Sequence, residues 1–334
     1  MRFFLFFITI WIFLSGCRNN SNKYIHNEGF IFGTTYSFIY DDSQGDLHDE
    51  IKKILSSFNK SLSAFDSSSI ISRFNKGEEN VIADSLFLKV FTKSVEISAI
   101  TEGAFDITVA PLVNVWGFGF EKHKTVNREI IDSLMNYVGI ENVYIENGII
   151  KRKKEGVILN ASAIAKGYGV DEVSKLLKSK GINNYMVEIG GEISTSGINS
   201  KGTFWRIGID KPIFETTPEN REFMMILQLS GKALATSGNY RNFFIMDGIK
   251  YGHIINPLTG YPVQLSILSA SIIADDCMTA DAFATACMVS GLEKSLELIE
   301  NQPNIEGCFI YEMDNGLLNI KYTSGFEEYI LNND

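Results

Sequence analysis

The chain has 334 residues, 45% of them hydrophobic and 21% charged, with no long low-complexity run, which excludes an extensively disordered protein and points to one large or two coupled globular domains. A formal net charge of −10, with no basic run beyond Lys151-Arg152-Lys153-Lys154, excludes a nucleic-acid surface, which needs a basic footprint. That tetrad reads as the solvated edge of a hairpin.

At the N-terminus, Arg2 precedes an almost wholly apolar run of twelve residues, Phe3 to Leu14. Such a run is short for a membrane span and has the length of a signal-peptide core, with an uncleaved anchor helix as the alternative. Leu14-Ser15-Gly16-Cys17 resembles a bacterial lipobox, in which the cysteine is lipidated and begins the mature chain. The sequence thus predicts a signal peptide over 1–16, a polar tether over 17–29 and a single domain over 30–334. The chain is expected to be exported, anchored to a bacterial membrane through Cys17 and facing the periplasm. Removing residues 1–16 takes away one Arg and no acid, so the mature chain carries −11 in place of −10. Besides the lipidated Cys17, three cysteines remain, Cys277, Cys287 and Cys308, an odd number without C-x-x-C spacing, which argues against a disulfide framework or a zinc site. Cys277 and Cys287 read as small buried hydrophobes.

Past the tether, Ile51, Ile54, Leu55, Phe58 and Leu62 follow helical spacing, as do Val170, Val173, Leu176 and Leu177. "TFWRIGID", "MMILQLS", "ALATSG" and "NFFIMDG" read as strands in succession with turn signals between them, and "SASIIA" as a buried strand. Strands in succession favour antiparallel pairing over repeated βαβ units, so the class is α+β. "DKPIFETTPENRE", residues 210–222, reads as an exposed excursion. No P-loop, H-E-x-x-H, G-x-S-x-G or Rossmann glycine pattern is present, and four scattered histidines give no metal cluster.

Three patches carry isolated polar groups among small residues. In "LNASAIAKGYGVD", residues 159–171, backbone N–H groups and Lys166 meet at a helix N-terminus, which is either an anion site or an ordinary turn with Lys166 in water. "YGHIINPLTGYPV" places His253 in an apolar strand stopping at Asn256-Pro257, where a histidine is either a hydrogen-bonded core residue or a base. In "TADAFATACMVSG", residues 279–291, Thr279 reads as the cap and puts Asp281 in the first turn, where the helix dipole favours an acid. Thr285 lies at i+4 on the same face, beside Ala282, Ala284 and Ala286, so the pair also suits a hard cation completed by backbone carbonyls and a phosphate-bearing ligand.

The order of these patches resembles the FAD:protein FMN transferase (ApbE) family over nearly the whole mature chain, Gly33 to Gly291. The matching segments, in the family's order, are "FGTTYSF", "LSAFDSSSIISRFN", "GAFDITVAPLVNVWGFG", "ASAIAKGYGVD", "VEIGGEISTSG", "WRIGIDKP", "LATSGNYRNFF", "HIINPLTGYPV" and "TADAFATA". The resemblance implies an α+β fold related to the T-fold, with a mainly antiparallel sheet, packed helices and FAD held between subdomains. It implies Mg²⁺ held by Asp281 and Thr285, with Ala284 beside them, and by the carbonyl of Ala163. Phe32 and Phe65 would flank the flavin, Ala104, Phe105, Asp106, Asn160, Lys166 and Ile255 would contact FAD, and His253 would help activate the acceptor hydroxyl. Plain core packing is the other reading of the two phenylalanines, and a turn cap that of Asp106.

The activity so implied is Mg²⁺-dependent transfer of FMN from FAD to a Thr or Ser hydroxyl of a partner redox protein, releasing AMP. A FAD pyrophosphatase giving FMN and AMP, and a non-catalytic FAD-binding lipoprotein, are the alternatives. The sequence departs from the family pattern at Asn160 and Asn256, where Asp is usual, and at Phe65, in the place of a tyrosine. Asn accepts a hydrogen bond but supplies neither an anionic ligand nor a base.

Overall fold

The computed structural model describes residues 23–119, 126–212, 222–239, 243–246, 249–264, 267–313 and 315–331. The predicted signal peptide, Cys17 and most of the 210–222 excursion lie outside the described residues. In chain order these form β1 (Tyr24–Ile31), β2 (Thr34–Asp41), α1 (His48–Leu62), α2 (Ile70–Asn75), α3 (Ser85–Ile100), α4 (Ala110–Val115), α5 (Arg128–Met135), β3 (Val143–Glu146) and β4 (Ile149–Arg152). There follow α6 (Ala165–Ser179), β5 (Tyr185–Ile189), β6 (Glu192–Ser196), β7 (Trp205–Asp210), β8 (Phe223–Leu229), β9 (Ala233–Gly238), β10 (Phe243–Met246) and β11 (Ile249–Gly252). The last are β12 (Ser269–Ala274), α7 (Cys277–Ser290), α8 (Leu292–Glu300), β13 (Glu306–Glu312) and β14 (Leu318–Tyr322).

One sheet of eight strands, ordered β1-β2-β5-β6-β9-β12-β13-β14, organises the chain, and its pairings are antiparallel, as expected of the α+β class. Alternation along the strands assigns its two faces. Ala235, Ala270, Ile272 and Phe309 pack with the buried residues of α7, while Tyr36, Phe38, Val187 and Ile189 pack with α1 and α6. Their neighbours Leu234, Ile273, Cys308 and Ile310 face the other way, against Trp205, Ile207, Leu227 and Leu229 of the β7–β8 ribbon. Helices therefore cover one face and a two-stranded ribbon the other.

Local sequence accounts for the helices nearest the site. Ile51, Leu55, Phe58 and Leu62 recur on one side of α1 and are all buried. Burial of side chains of this size contributes about 1.5–3 kcal/mol each. In α7 the small residues Ala280, Ala282, Ala284 and Ala286 are fully buried, which lets the helix lie close on β9 and β12. Its cap is Asp276, not Thr279: the Asp276 carboxylate accepts from the Thr279 N–H at 2.8 Å. Asp171 of α6 takes two further free N–H groups at the same end, those of Cys277 and Met278, each at 2.8 Å. Asp281 thus sits in the second turn, and the dipole of the first turn does not explain it. All three described cysteines are buried and free.

Two other expectations are corrected. Tyr24 to Gly29, predicted as tether, belong to β1, which pairs with β2 along its whole length. Arg152 is not on a solvated edge: its guanidinium lies 3.8 Å from the Phe74 ring centroid and donates to the carbonyls of Val157, at 2.7 Å, and Phe74.

Between the two halves of the sheet the pairing is sparse. β5 and β6 pair at five positions, and β9 and β12 at six, but β6 and β9 meet only at Ile193–Leu234 and Ser194–Ala233. Beyond these pairs Thr236, Ser237 and Gly238 line a cavity.

Candidate active site

Helices α6 and α7 bring the principal polar groups together. They approach closely at Gly167, where a Cβ would fall 2.3 Å from the Cys277 carbonyl oxygen and 2.8 Å from the Asp281 Cβ. The Gly167 N–H donates to Asp281 Oδ2 at 3.0 Å. One residue earlier, Lys166 extends its ammonium to Glu192 Oε1 at 2.6 Å and to Asp281 Oδ1 at 3.5 Å. Glu192 and Asp281 are almost wholly buried, and Glu192 Oε2 has no hydrogen-bond partner. Burial alone would lower the Lys166 pKa, but the Asp281 and Glu192 carboxylates hold it above its ordinary range. Burial pushes the Glu192 carboxyl up, with Lys166 pulling against it; a 2.6 Å contact to an ammonium is that of an ion pair.

This cluster opens into a cavity of about 1220 Å³. Lys166, Asp281 and Thr285 line it from the helices, Ala163 from the turn before α6, and Arg206, Gly208 and Asp210 from the ribbon on the other face of the sheet. The Thr285 hydroxyl is 3.2 Å from that of Ser237 on β9. Ala284 is fully buried behind Thr285 and does not line the cavity.

Most of the other expected residues converge on the same space. Phe65 lines the cavity with 77% of its surface exposed, so it is a rim residue and not core. Ala104, Phe105 and Asp106 line it from the loop before α4, and Ile255 from an isolated bridge to Pro262. Asp106 staples its loop: Oδ1 accepts from the Thr108 N–H and hydroxyl at 2.7 and 2.6 Å, and Oδ2 from the Ile140 N–H at 2.8 Å. Burial nonetheless pushes its carboxyl up. Asn160 lines the cavity while its Oδ1 accepts from the Ser162 N–H at 2.9 Å. His253 also lines the cavity, in a bend just past β11 and not within a strand, with its ring edge-on to Phe118 at 6.3 Å.

Phe32, expected to flank the flavin, does not line this cavity. Its backbone is left-handed, at φ 54°, which turns the ring to Phe58, 6.0 Å between centroids, and toward the face of α6 at Gly169. Sequence reasoning passed over Glu192, although an acid between Gly191 and the half-buried strand "ISTS" is a usable signal.

Among the described residues there is no group of three or more His, Cys, Asp or Glu able to hold a metal ion. Asp281, Thr285 and the Ala163 carbonyl are instead mixed oxygen donors, the kind a hard cation takes when substrate and water complete its shell. Lys166, Glu192 and Asp281 sum to one net negative charge, so this end of the cavity fits a cation.

Residues 32–309 match the model of the ApbE family. The chain belongs to the ApbE family. It is 37% identical over 98% of its length to the FAD:protein FMN transferase of Vibrio cholerae, covering 97% of that protein. It is also 31% identical over 80% of its length to the Escherichia coli K12 protein of the same description, covering 76% of it. Its fold superposes on the flavin transferase ApbE of Vibrio cholerae with a TM-score of 0.83, at 36% identity, covering 92% of this chain and 99% of that one. An apo flavinyl transferase ApbE of Pseudomonas stutzeri gives 0.81, at 31% identity, with 92% and 96% covered. As an ApbE member this chain is a flavin transferase.

Proposed function

We propose that this protein transfers FMN from FAD to a Thr or Ser hydroxyl of an exported redox partner, releasing AMP, with Mg²⁺ required. The observation that carries the reading is the placement of Lys166, Asp281, Thr285 and Ala163 along one wall of the cavity that His253 also lines. At about 1220 Å³ the space exceeds the roughly 300–1,000 Å³ of ordinary small-ligand pockets, as a dinucleotide meeting a protein hydroxyl requires.

Asp281, Thr285 and the Ala163 carbonyl would hold the Mg²⁺, which when bound supplies charge neutralisation on the pyrophosphate. Lys166, at the N-terminus of α6, adds a fixed positive charge beside the phosphates. Phe65, Ala104, Phe105 and Ile255 form an apolar border for the isoalloxazine, with Asn160 offering polar contacts. The acceptor oxygen attacks the FMN phosphorus, the bond from that phosphorus to the bridging oxygen breaks, and AMP leaves with that oxygen. His253 takes the proton of the attacking hydroxyl. Positioning and charge supply most of the rate. A lipid anchor at Cys17 would hold the enzyme beside a membrane-associated acceptor on the periplasmic side.

The test is to incubate the full-length chain with FAD, Mg²⁺ and a threonine-bearing acceptor domain, then to weigh the acceptor and quantify AMP. An acceptor mass gain of one FMN less one water, matched by AMP, supports the transferase. AMP with free FMN and an unmodified acceptor points to a pyrophosphatase, in which water replaces the hydroxyl. Tight FAD binding without AMP leaves a binding protein.

A further inference from the structure

Glu192 belongs to no part of the reading above, yet it is the group closest to Lys166. It starts β6 directly after the Gly190-Gly191 turn and is 3% exposed. Its Oε1 holds the Lys166 ammonium at 2.6 Å, while the same ammonium stands 3.5 Å from Asp281 Oδ1. The backbone on the lysine side is fixed, because Gly167 packs against Cys277 and Asp281 without room for a Cβ. The ammonium on its flexible stem is therefore shared unequally between two fixed carboxylates. Asp281 Oδ2 is committed to the Gly167 N–H, which leaves Oδ1 as the oxygen open to a further partner.

We infer that Glu192 is a positioning residue that draws the Lys166 ammonium off Asp281 Oδ1 and so keeps that carboxylate available to a divalent cation. This rests on the cation site of the proposed function. An ammonium in direct contact with Asp281 would compete for the same oxygen at close range and inside a poorly screened site. With the Glu192 charge in place, the lysine's stronger attraction lies elsewhere, and it stays as a fixed positive charge on the cavity wall. Glu192 thus acts on the cation through Lys166, without touching it.

The test is a double-mutant cycle read by Mn²⁺ binding, with free Mn²⁺ followed by electron paramagnetic resonance, on the full-length chain with and without FAD. Glu192→Gln keeps shape and hydrogen-bonding capacity and removes the charge. It is expected to weaken Mn²⁺ binding by about tenfold, the lower end of the range for groups that orient a metal ligand. In a Lys166→Met background, which has no ammonium to release, the same change is expected to cost little. Glu192→Asp, which keeps the charge, should recover part of the loss. An equal loss in both backgrounds would show that Glu192 acts on the cation directly and overturns the inference, as does undiminished binding in Glu192→Gln. If Glu192→Gln does not fold, Glu192→Asp in the two lysine backgrounds reads the same coupling through its shorter reach. No Mn²⁺ binding by the unaltered chain overturns the cation site itself, an outcome distinct from failure of the acceptor assay.

Discussion

The Gly167 N–H and the Asp281 carboxylate meet at 3.0 Å across the contact between α6 and α7, and that contact exists because position 167 has no side chain. One residue type thus sets both the helix separation and the placement of the buried acid. Gly167→Ala is expected to force the helices apart, since its Cβ would stand 2.3 Å from a backbone oxygen that cannot swing aside. The expected cost is about 1–3 kcal/mol of stability, typical of overpacking, together with loss of flavin transfer. Denaturant unfolding and the acceptor-labelling assay measure the two effects.

Asp281→Asn retains an acceptor for the Gly167 N–H and removes the charge facing Lys166. We expect a folded protein whose transfer activity falls by about 100-fold or more, the scale for losing one preorganised electrostatic group. Circular dichroism reports the fold and AMP release the rate; undiminished AMP release from the variant would remove Asp281 from the metal set.

For His253→Ala the expected loss is about 100-fold in turnover, the low end for a general base, with FAD affinity unchanged, because the phosphate-side groups are untouched. Fluorescence titration with FAD separates the two quantities. A loss confined to FAD affinity would make His253 a wall of the pocket and not a proton acceptor.

Asp171 gives the fold a pH dependence of its own. Burial pushes its carboxyl from 3.8 up to about 7, against the N–H groups of Cys277 and Met278, which pull it down. The folded state therefore binds this proton more tightly than the unfolded chain. Its contribution to stability is present in full below about pH 4 and is lost as pH rises through about 7. Asp171→Asn keeps an acceptor for α7 and should flatten this part of the pH profile of the melting temperature between those limits. An identical slope in the variant would assign it to other groups.

Much of this was legible in the sequence because it depended on short-range pattern. The apolar spacing of α1 and α6 marked both helices, and the small residues of "TADAFATA" marked a helix packed close to something. What was illegible depended on distant partners. β1 reads as polar because Asn27 is buried by distant partners, accepting from the Tyr40 hydroxyl at 2.8 Å and donating to Asp46 Oδ1 at 3.2 Å. Thr279 read as the cap of α7, but the helix starts at Cys277 with Asp276 as its cap and Asp171 of α6 taking the next two N–H groups. Phe32 and Phe65 looked alike in one dimension, and a single left-handed residue turns the first, half-buried, against the core while the second remains on the rim. Glu192 acquires its meaning from Lys166, 26 positions earlier and on another element.

The two-residue pairing of β6 with β9 has a mechanical meaning. The eight-stranded sheet is narrowest in strand pairing at its middle, where the bonds from the Thr195 N–H to the Lys232 carbonyl and from the Gly231 N–H to the Thr195 carbonyl, both 3.0 Å, extend the contact and α6 and α7 pack behind it. A molecule filling the cavity beside that junction would touch both halves of the sheet. Occupancy and stiffness of the sheet would then be coupled, with substrate serving as part of the scaffold.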